Sequence, residues 1–418
     1  MQRILLCLTI MMLTVGLASA RPADSAEPAD SARRAHARSY DVWVPAAGAA
    51  FATATSAVAR GAYPHGFGVT ETAAGPDRGM GYIRFAPVAL PWVMKAFGSP
   101  TRSSWGRMAV SQGLSAAIMV ASVEGLKHSV SSLRPDGSDK RSFPSGHTAI
   151  AFMGATMTAH ELAPRSPLYA LGAFALASAV AAERVLDGHH YPTDVVAGAG
   201  LGILSTEIGY WIGDRIFGDR GLQLSEPPLT ENLNLSYLQL STGLLLPLGR
   251  IDCGPDRISR LPALSVTVRG GLAIGDNWGL AVETGLLSMP LVVKSGVSET
   301  YVKNLSSINF GVGPYMAFTL SRCFTLNVEA TAGYRVNFGL NTVGDAMTAS
   351  GGTPTGRIGF GGALRLSDRF RCNANAGWEL SSYKFTLHPS DYYSIKADQT
   401  VKSLTSSILF SVSATYDL

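Results

Sequence analysis

The chain has 418 residues, of which 46% are apolar and only 15% charged, and its net charge is +4. That length allows two or three domains. So few charges point away from an ordinary soluble enzyme and toward membrane contact, and so small a basic excess, with no block of Lys and Arg, gives no ground for a nucleic-acid partner.

Residues 1–20 pair Arg3 with an apolar run, Ile4 to Leu17, and end on the small triplet Ala18-Ser19-Ala20. This is the pattern of a cleaved secretory signal peptide, and Cys7 would leave with it. Residues 21–40 are mainly Ala, Pro, Asp, Ser and Arg, nearly repeat PADSA, and read as a disordered tether. Cys253, Cys323 and Cys372 remain. An odd number allows at most one internal bridge, and their spacing fits no zinc pattern. Whether Cys323 and Cys372, both near short turns, are joined stays open.

Residues 41–217 read as helical. Apolar segments rich in Ala and Gly cover 108–126, 147–160, 167–182 and 194–217, interrupted or bounded by Gln112, Glu124, His160, Glu183 and Glu207. Membrane spans and the buried helices of a compact bundle fit these segments about equally.

After a linker at 218–232 the period changes to two through 233–418. In Phe324–Phe338, Phe324, Leu326, Val328, Ala330, Tyr334, Val336 and Phe338 share one face, and Thr325, Asn327, Glu329, Thr331, Arg335 and Asn337 the other. Eight such runs start near Leu233, Ala263, Trp278, Ser306, Phe324, Thr355, Arg371 and Lys402. Short turns at 275–277, 321–322 and 367–369 alternate with long loops near 248–262, 291–303, 339–354 and 388–401. Long alternating runs with this asymmetry predict an outer-membrane β-barrel. The expected fold class is therefore α + β in two domains: an N-terminal all-α helical bundle and a C-terminal antiparallel eight-stranded β-barrel. An even strand number places both barrel ends in the periplasm, with the bundle attached there. The chain ends Tyr416-Asp417-Leu418, not on the aromatic residue usual for such barrels. Glu283, Glu329 and Arg335 point inward in this reading. Eight strands leave a lumen that side chains fill, so the barrel is expected to anchor and to conduct little.

Three clusters in the helical region carry chemistry: Lys127 with Arg134-Pro135; Pro144-Ser145-Gly146-His147; and Arg184, His190 and Asp194. Phosphoryl transfer needs positive charge around the equatorial oxygens, an in-line nucleophile and a proton for the leaving group. Lys127, Arg134 and Arg184 supply cations, and Arg forks match phosphate oxygens. Ser145-Gly146-His147 opens a helix, where backbone N–H groups bind anions. A carboxylate at Asp194 can fix the tautomer of His190 and free its other nitrogen to attack. Pro192 between them suggests that the helix begins only around Tyr191. His147 is left as general acid.

The pattern Lys-x6-Arg-Pro, Pro-Ser-Gly-His, Arg-x5-His-x3-Asp resembles the three-part signature of the type 2 phosphatidic acid phosphatase superfamily. This superfamily spans lipid phosphate phosphatases, lipid A phosphatases, undecaprenyl pyrophosphate phosphatases, secreted acid phosphatases and vanadium haloperoxidases. The resemblance implies that His190 attacks phosphorus, Asp194 orients it and His147 protonates the leaving oxygen. It also implies that Lys127, Arg134, Ser145, Gly146 and Arg184 bind the phosphoryl group, with no metal and no cofactor. The expected substrate is a lipid phosphate or pyrophosphate of the lipid A, undecaprenyl pyrophosphate or phosphatidate class, and the barrel would need the barrel assembly machinery during biogenesis. Two features depart from the family pattern: Glu183 stands where the family has Ser, and only eight residues separate Pro135 from Pro144. His189 competes with His190, and the spacing to Asp194 favours His190. Two further layouts stay open: a structural or pore-forming barrel with a degenerate phosphatase domain, and inner-membrane helices carrying a periplasmic β-domain.

Overall fold

The computed structural model describes Thr53, Ala54, Ala57 and residues 80–417, apart from 164, 219–235 and short segments at 254–255, 296–297, 321–323, 339–346, 350, 368–369 and 390–396. The expected signal peptide, the tether, nearly all of the linker, Cys323 and the side chain of Cys372 lie outside the described residues.

The helical region is built from α1 (Met80–Ile83), α2 (Ala86–Ala96), α3 (Trp105–Ser129), α4 (Gly146–Leu162), α5 (Pro167–Leu186) and α6 (Pro192–Phe217). Their boundaries follow local chemistry. Ser104 and Ser145 cap α3 and α4 in extended backbone. Proline opens α5 and α6, where its missing N–H costs nothing. Gly218, in the left-handed region at φ 71°, ends α6. By length and composition alone, Trp105–Ser129, Leu168–Leu186 and Pro192–Phe217 are long and apolar enough to cross a membrane.

The β region is one closed antiparallel barrel. Its eight long strands are β1 (Tyr237–Leu248), β4 (Ala263–Ala273), β5 (Trp278–Ser295), β6 (Ser298–Thr319), β7 (Phe324–Phe338), β9 (Gly352–Ser367), β10 (Phe370–Leu387) and β11 (Gln399–Asp417). First and last strands pair in register, Tyr237 with Asp417 and Leu248 with Ser406, and β5 pairs with β6 to close the ring. Three short strands, β2 (Ile251–Cys253), β3 (Asp256–Arg260) and β8 (Met347–Ala349), lie within the long connections.

The expected long loop at 291–303 is a correction. β5 runs to Ser295 and β6 starts at Ser298, paired down to Lys294–Glu299. Leu291, Val293 and Leu305 join one buried cluster while Val292, on the other face, packs on Leu261, and so the sheet extends past the expected strand end. That cluster also takes Leu245, Ile251, Ile258, Leu287, Met289, Met347, Tyr383, Phe385, Leu387 and Leu409, and closes the long-loop end of the barrel.

Below this plug the lumen is ionic. Arg269 pairs with Glu329 and Glu283, Arg357 with Glu283, Arg335 with Glu379 (2.7 Å) and Arg371 with Asp417 (2.5 Å). Glu283, Glu329 and Arg335 point inward as their alternation requires.

The helices and the barrel touch within the unit Val44–Leu418. α5 and α6 lie along the outer wall at β1, β4 and β11. Ser178 and Thr242 hydroxyl oxygens are 2.8 Å apart, and Ala170 clusters with Ala163 and Ala414. Outward residues elsewhere on the wall are open, with Val282 60% and Ile358 63% exposed, but Leu244 is 0% and Leu264 2% exposed.

Candidate active site

All three sequence clusters meet at one end of the helical bundle. The cause lies in the small residues of α6. A Cβ on Gly198 would stand 2.4 Å from the carbonyl oxygen of Ser145, and one on Gly202 would stand 2.3 Å from that of Ala149. Only a side chain of one hydrogen lets α6 approach the start of α4 this closely. The contact is fixed by a hydrogen bond in which Ser145 N–H donates to the Asp194 carbonyl, 2.9 Å. The opening turns of α4 and α6 are thereby locked together. The first amides of α4 have no intrahelical acceptor and carry the positive end of the helix dipole. Lys127, in the last turn of α3, reaches the same place, with Nζ 3.4 Å from where a Cβ on Gly146 would be.

His190 lies in the short segment between α5 and α6. The Arg184 carbonyl accepts hydrogen bonds from the backbone N–H groups of His189 and His190, both 3.1 Å, so Arg184 and His190 are held beside each other. His190 is buried, and its Nδ1 is 3.7 Å from Asp194 Oδ2. That is ion-pair range and longer than a hydrogen bond. Asp194 is the third residue of α6. Its Oδ2 accepts from Ser142 Oγ (2.5 Å) and from Tyr191 N–H (3.0 Å), so the carboxylate is aimed by the helix cap. With Nδ1 turned to Asp194, Nε2 is the nitrogen left for a substrate. His189 does something else: its Nδ1 lies 3.3 Å from Asp136 Oδ2 in the loop after α3.

The electrostatics fit this division of labour. Burial pushes the His190 pKa below its ordinary value, Asp194 opposes the shift, and Arg134 and Arg184 add to it. The shift favours the neutral ring. His147, second residue of α4, is pushed down to about 3, by burial first and then by Arg184, Arg84, His190 and Arg134. Arg134 donates its Nε to Asp139 Oδ1 (2.9 Å). Glu183 Oε2 is 3.7 Å from an Arg184 terminal nitrogen, so the unusual carboxylate pairs with the motif arginine.

Lys127, Arg134, Ser145, Gly146, His147, Arg184, His190 and Asp194 thus share one site. Two contributors were not legible in the motifs. Ser142 holds Asp194, and Arg84, in the turn between α1 and α2, adds its charge at His147. The Arg84 Nε is buried with no hydrogen-bond partner among the described residues.

Residues 108–217 match the family model described as the PAP2 superfamily. The chain is 43% identical over 137 residues to the lipid A 1-phosphatase of Porphyromonas gingivalis, a stretch covering 32% of this chain and 31% of that relative. Among solved structures, OprG of Pseudomonas aeruginosa is 10% identical, covers 44% of this chain and 96% of its own, and has a TM-score of 0.36. LpxE of Aquifex aeolicus is 25% identical, covers 33% and 88%, and has a TM-score of 0.27. With its three motifs assembled at one site, the segment 108–217 is a PAP2 superfamily domain, and in this chain it precedes a closed eight-stranded β-barrel.

Proposed function

We propose that the helical domain is a metal-independent phosphatase acting on a lipid phosphate through a phosphohistidine at His190. The observation that carries this reading is the convergence of a neutral, carboxylate-held His190 and a second histidine on one cationic pocket. His190 Nε2 attacks phosphorus, the P–N bond forms, and the P–O bond to the leaving group breaks. His147 gives that oxygen its proton. Water then attacks phosphorus, passes a proton to His147, and inorganic phosphate leaves as the P–N bond breaks. Lys127, Arg134, Arg184 and the α4 amides hold the equatorial oxygens through both steps. A bound phosphate dianion offsets the arginines around His147, so its pKa rises and it can carry the proton.

The relative's name, lipid A 1-phosphatase, supports a phosphorylated glycolipid as the first substrate to try, ahead of undecaprenyl pyrophosphate and phosphatidate. The barrel supports an outer-membrane location, reached through a signal peptide and the barrel assembly machinery. A lumen filled by ion pairs and an apolar plug gives no support to a pore as the main role. Phosphate release in EDTA from lipid A, undecaprenyl pyrophosphate, phosphatidate and an aryl phosphate, compared with His190→Ala, tests the activity. Equal release from both folded proteins would refute it. Fractionation, with a gel shift on heating, tests the location: an unshifted band confined to inner membranes would refute it.

A further inference from the structure

The strand count led to the expectation of a periplasmic site on a bundle attached below the barrel. The packing is different, because α5 and α6 run along the barrel wall. Two contacts fix their direction. Ala170 packs by Ala414, which pairs with Leu240, and Ser178 packs by Thr242. From Ala170 to Ser178 the helix advances about 12 Å. From Leu240 to Thr242 the strand advances about 7 Å in the same sense. α5 therefore rises with β1, away from Tyr237 and toward Leu248. Arg184, about 9 Å further along the helix, reaches the level of Leu244 to Leu246. Val195 and Val196, at the start of α6, belong to the same apolar cluster as Leu244 and Leu264.

This is the long-loop end. Beyond Leu248 the chain enters the β2–β3 connection, whereas Tyr237 pairs with Gly271 and Asp417 near the short turns. The opposite end of the bundle carries a separate polar network: Asp214 pairs with Arg102 (2.9 Å) and Arg107 (2.6 Å), and Tyr210 donates to Glu161 (2.9 Å). The bundle is thus polar at both ends and apolar between, beside a wall whose outward residues are apolar. α6 ends, and β1 begins, at the same short-turn end.

We infer that the bundle lies in the same bilayer as the barrel, with its catalytic end at the outer leaflet. In bacterial outer-membrane barrels the short turns face the periplasm and the long loops the exterior. The substrate is then a phosphorylated lipid of the outer leaflet, whose headgroup reaches His190 by lateral diffusion. This rests on the phosphatase reading for its substrate, but its geometry does not depend on activity.

The test uses the full chain in intact cells and a membrane-impermeant maleimide, with the unsubstituted chain as background. Lys140→Cys probes the exposed loop at the site, Ala397→Cys a long barrel loop, and Asp276→Cys a short turn. The heat-shifted gel band verifies folding of each variant. Labelling of Lys140→Cys and Ala397→Cys in intact cells, with Asp276→Cys reacting only after permeabilisation, is the expected result. Labelling of Lys140→Cys only alongside Asp276→Cys, or no labelling of Ala397→Cys in intact cells, overturns the placement. A second arm measures phosphate loss from the lipid A of the same cells against His190→Ala. Outside labelling without phosphate loss would refute lipid A as the substrate and leave the placement standing. Phosphate loss with labelling confined to permeabilised cells would do the reverse.

Discussion

The barrel lumen and the active site both bury arginines, and they treat them in opposite ways. In the lumen, Arg269, Arg335, Arg357 and Arg371 each face a carboxylate from a neighbouring or opposite strand. At the site the pairing is looser, with Glu183 3.7 Å from Arg184. Asp139 takes only the Nε of Arg134, the nearest carboxylate to Lys127 is 3.9 Å away, and Asp194 serves His190. His147 feels these cations: its pKa is pushed down to about 3, by burial first and then by Arg184, Arg84, His190 and Arg134. A strongly perturbed group beside several cations in a cleft marks a candidate site for an anion.

The comparison breaks most sharply at the nucleophile. His190→Ala should cut phosphate release by at least about 10,000-fold while leaving the heat-shifted barrel band unchanged. Ser142→Ala removes a hydrogen bond to Asp194 without touching substrate. It should lower kcat by about tenfold, since a hydrogen bond to a charged group contributes about 1.5–3 kcal/mol, with little change in KM. The lumen should respond in the opposite currency. Glu379→Leu leaves Arg335 buried without its carboxylate and should destabilise the barrel by about 3–5 kcal/mol, read as the shift of its unfolding midpoint in urea. The phosphatase activity of the protein that remains folded should match wild type.

Much of this division was legible in the sequence. Period-two alternation assigned Glu283, Glu329 and Arg335 to the inside, because a strand offers a side chain only two faces. Motif spacing brought out His190 and Asp194, because Pro192 fixes where α6 starts and Asp194 falls within its first turn. Other features left no local trace. An outward Leu244 reads the same whether a lipid or α5 covers it, so the side-by-side packing of bundle and barrel was invisible. Arg84 lies upstream of every motif and enters the site only through tertiary packing. The strands past Leu291 looked like loop because the pairing shifts register there, Leu291 opposite Lys303 but Val292 opposite Tyr301, which breaks the plain alternation of β6.

Arg84 offers the finest test of the surplus-charge idea. It contributes to the depressed pKa of His147 after burial and Arg184. Arg84→Gln should weaken phosphate binding, lowering kcat/KM by about tenfold, and it should also let the His147 pKa rise in the free enzyme. The proposed mechanism needs His147 protonated and His190 neutral. In the free enzyme burial and the arginines push the His147 pKa down to about 3, so its titration is best read directly, by NMR of the free protein. Removing Arg84 should move the His147 titration to higher pH and affect His190 less. Arg84→Lys, which keeps the charge, should restore the wild-type His147 titration even if it recovers only part of the rate. A His147 titration unmoved by Arg84→Gln would mean that Arg84 binds substrate without tuning the acid, and the charge felt at His147 would then belong to Arg134 and Arg184.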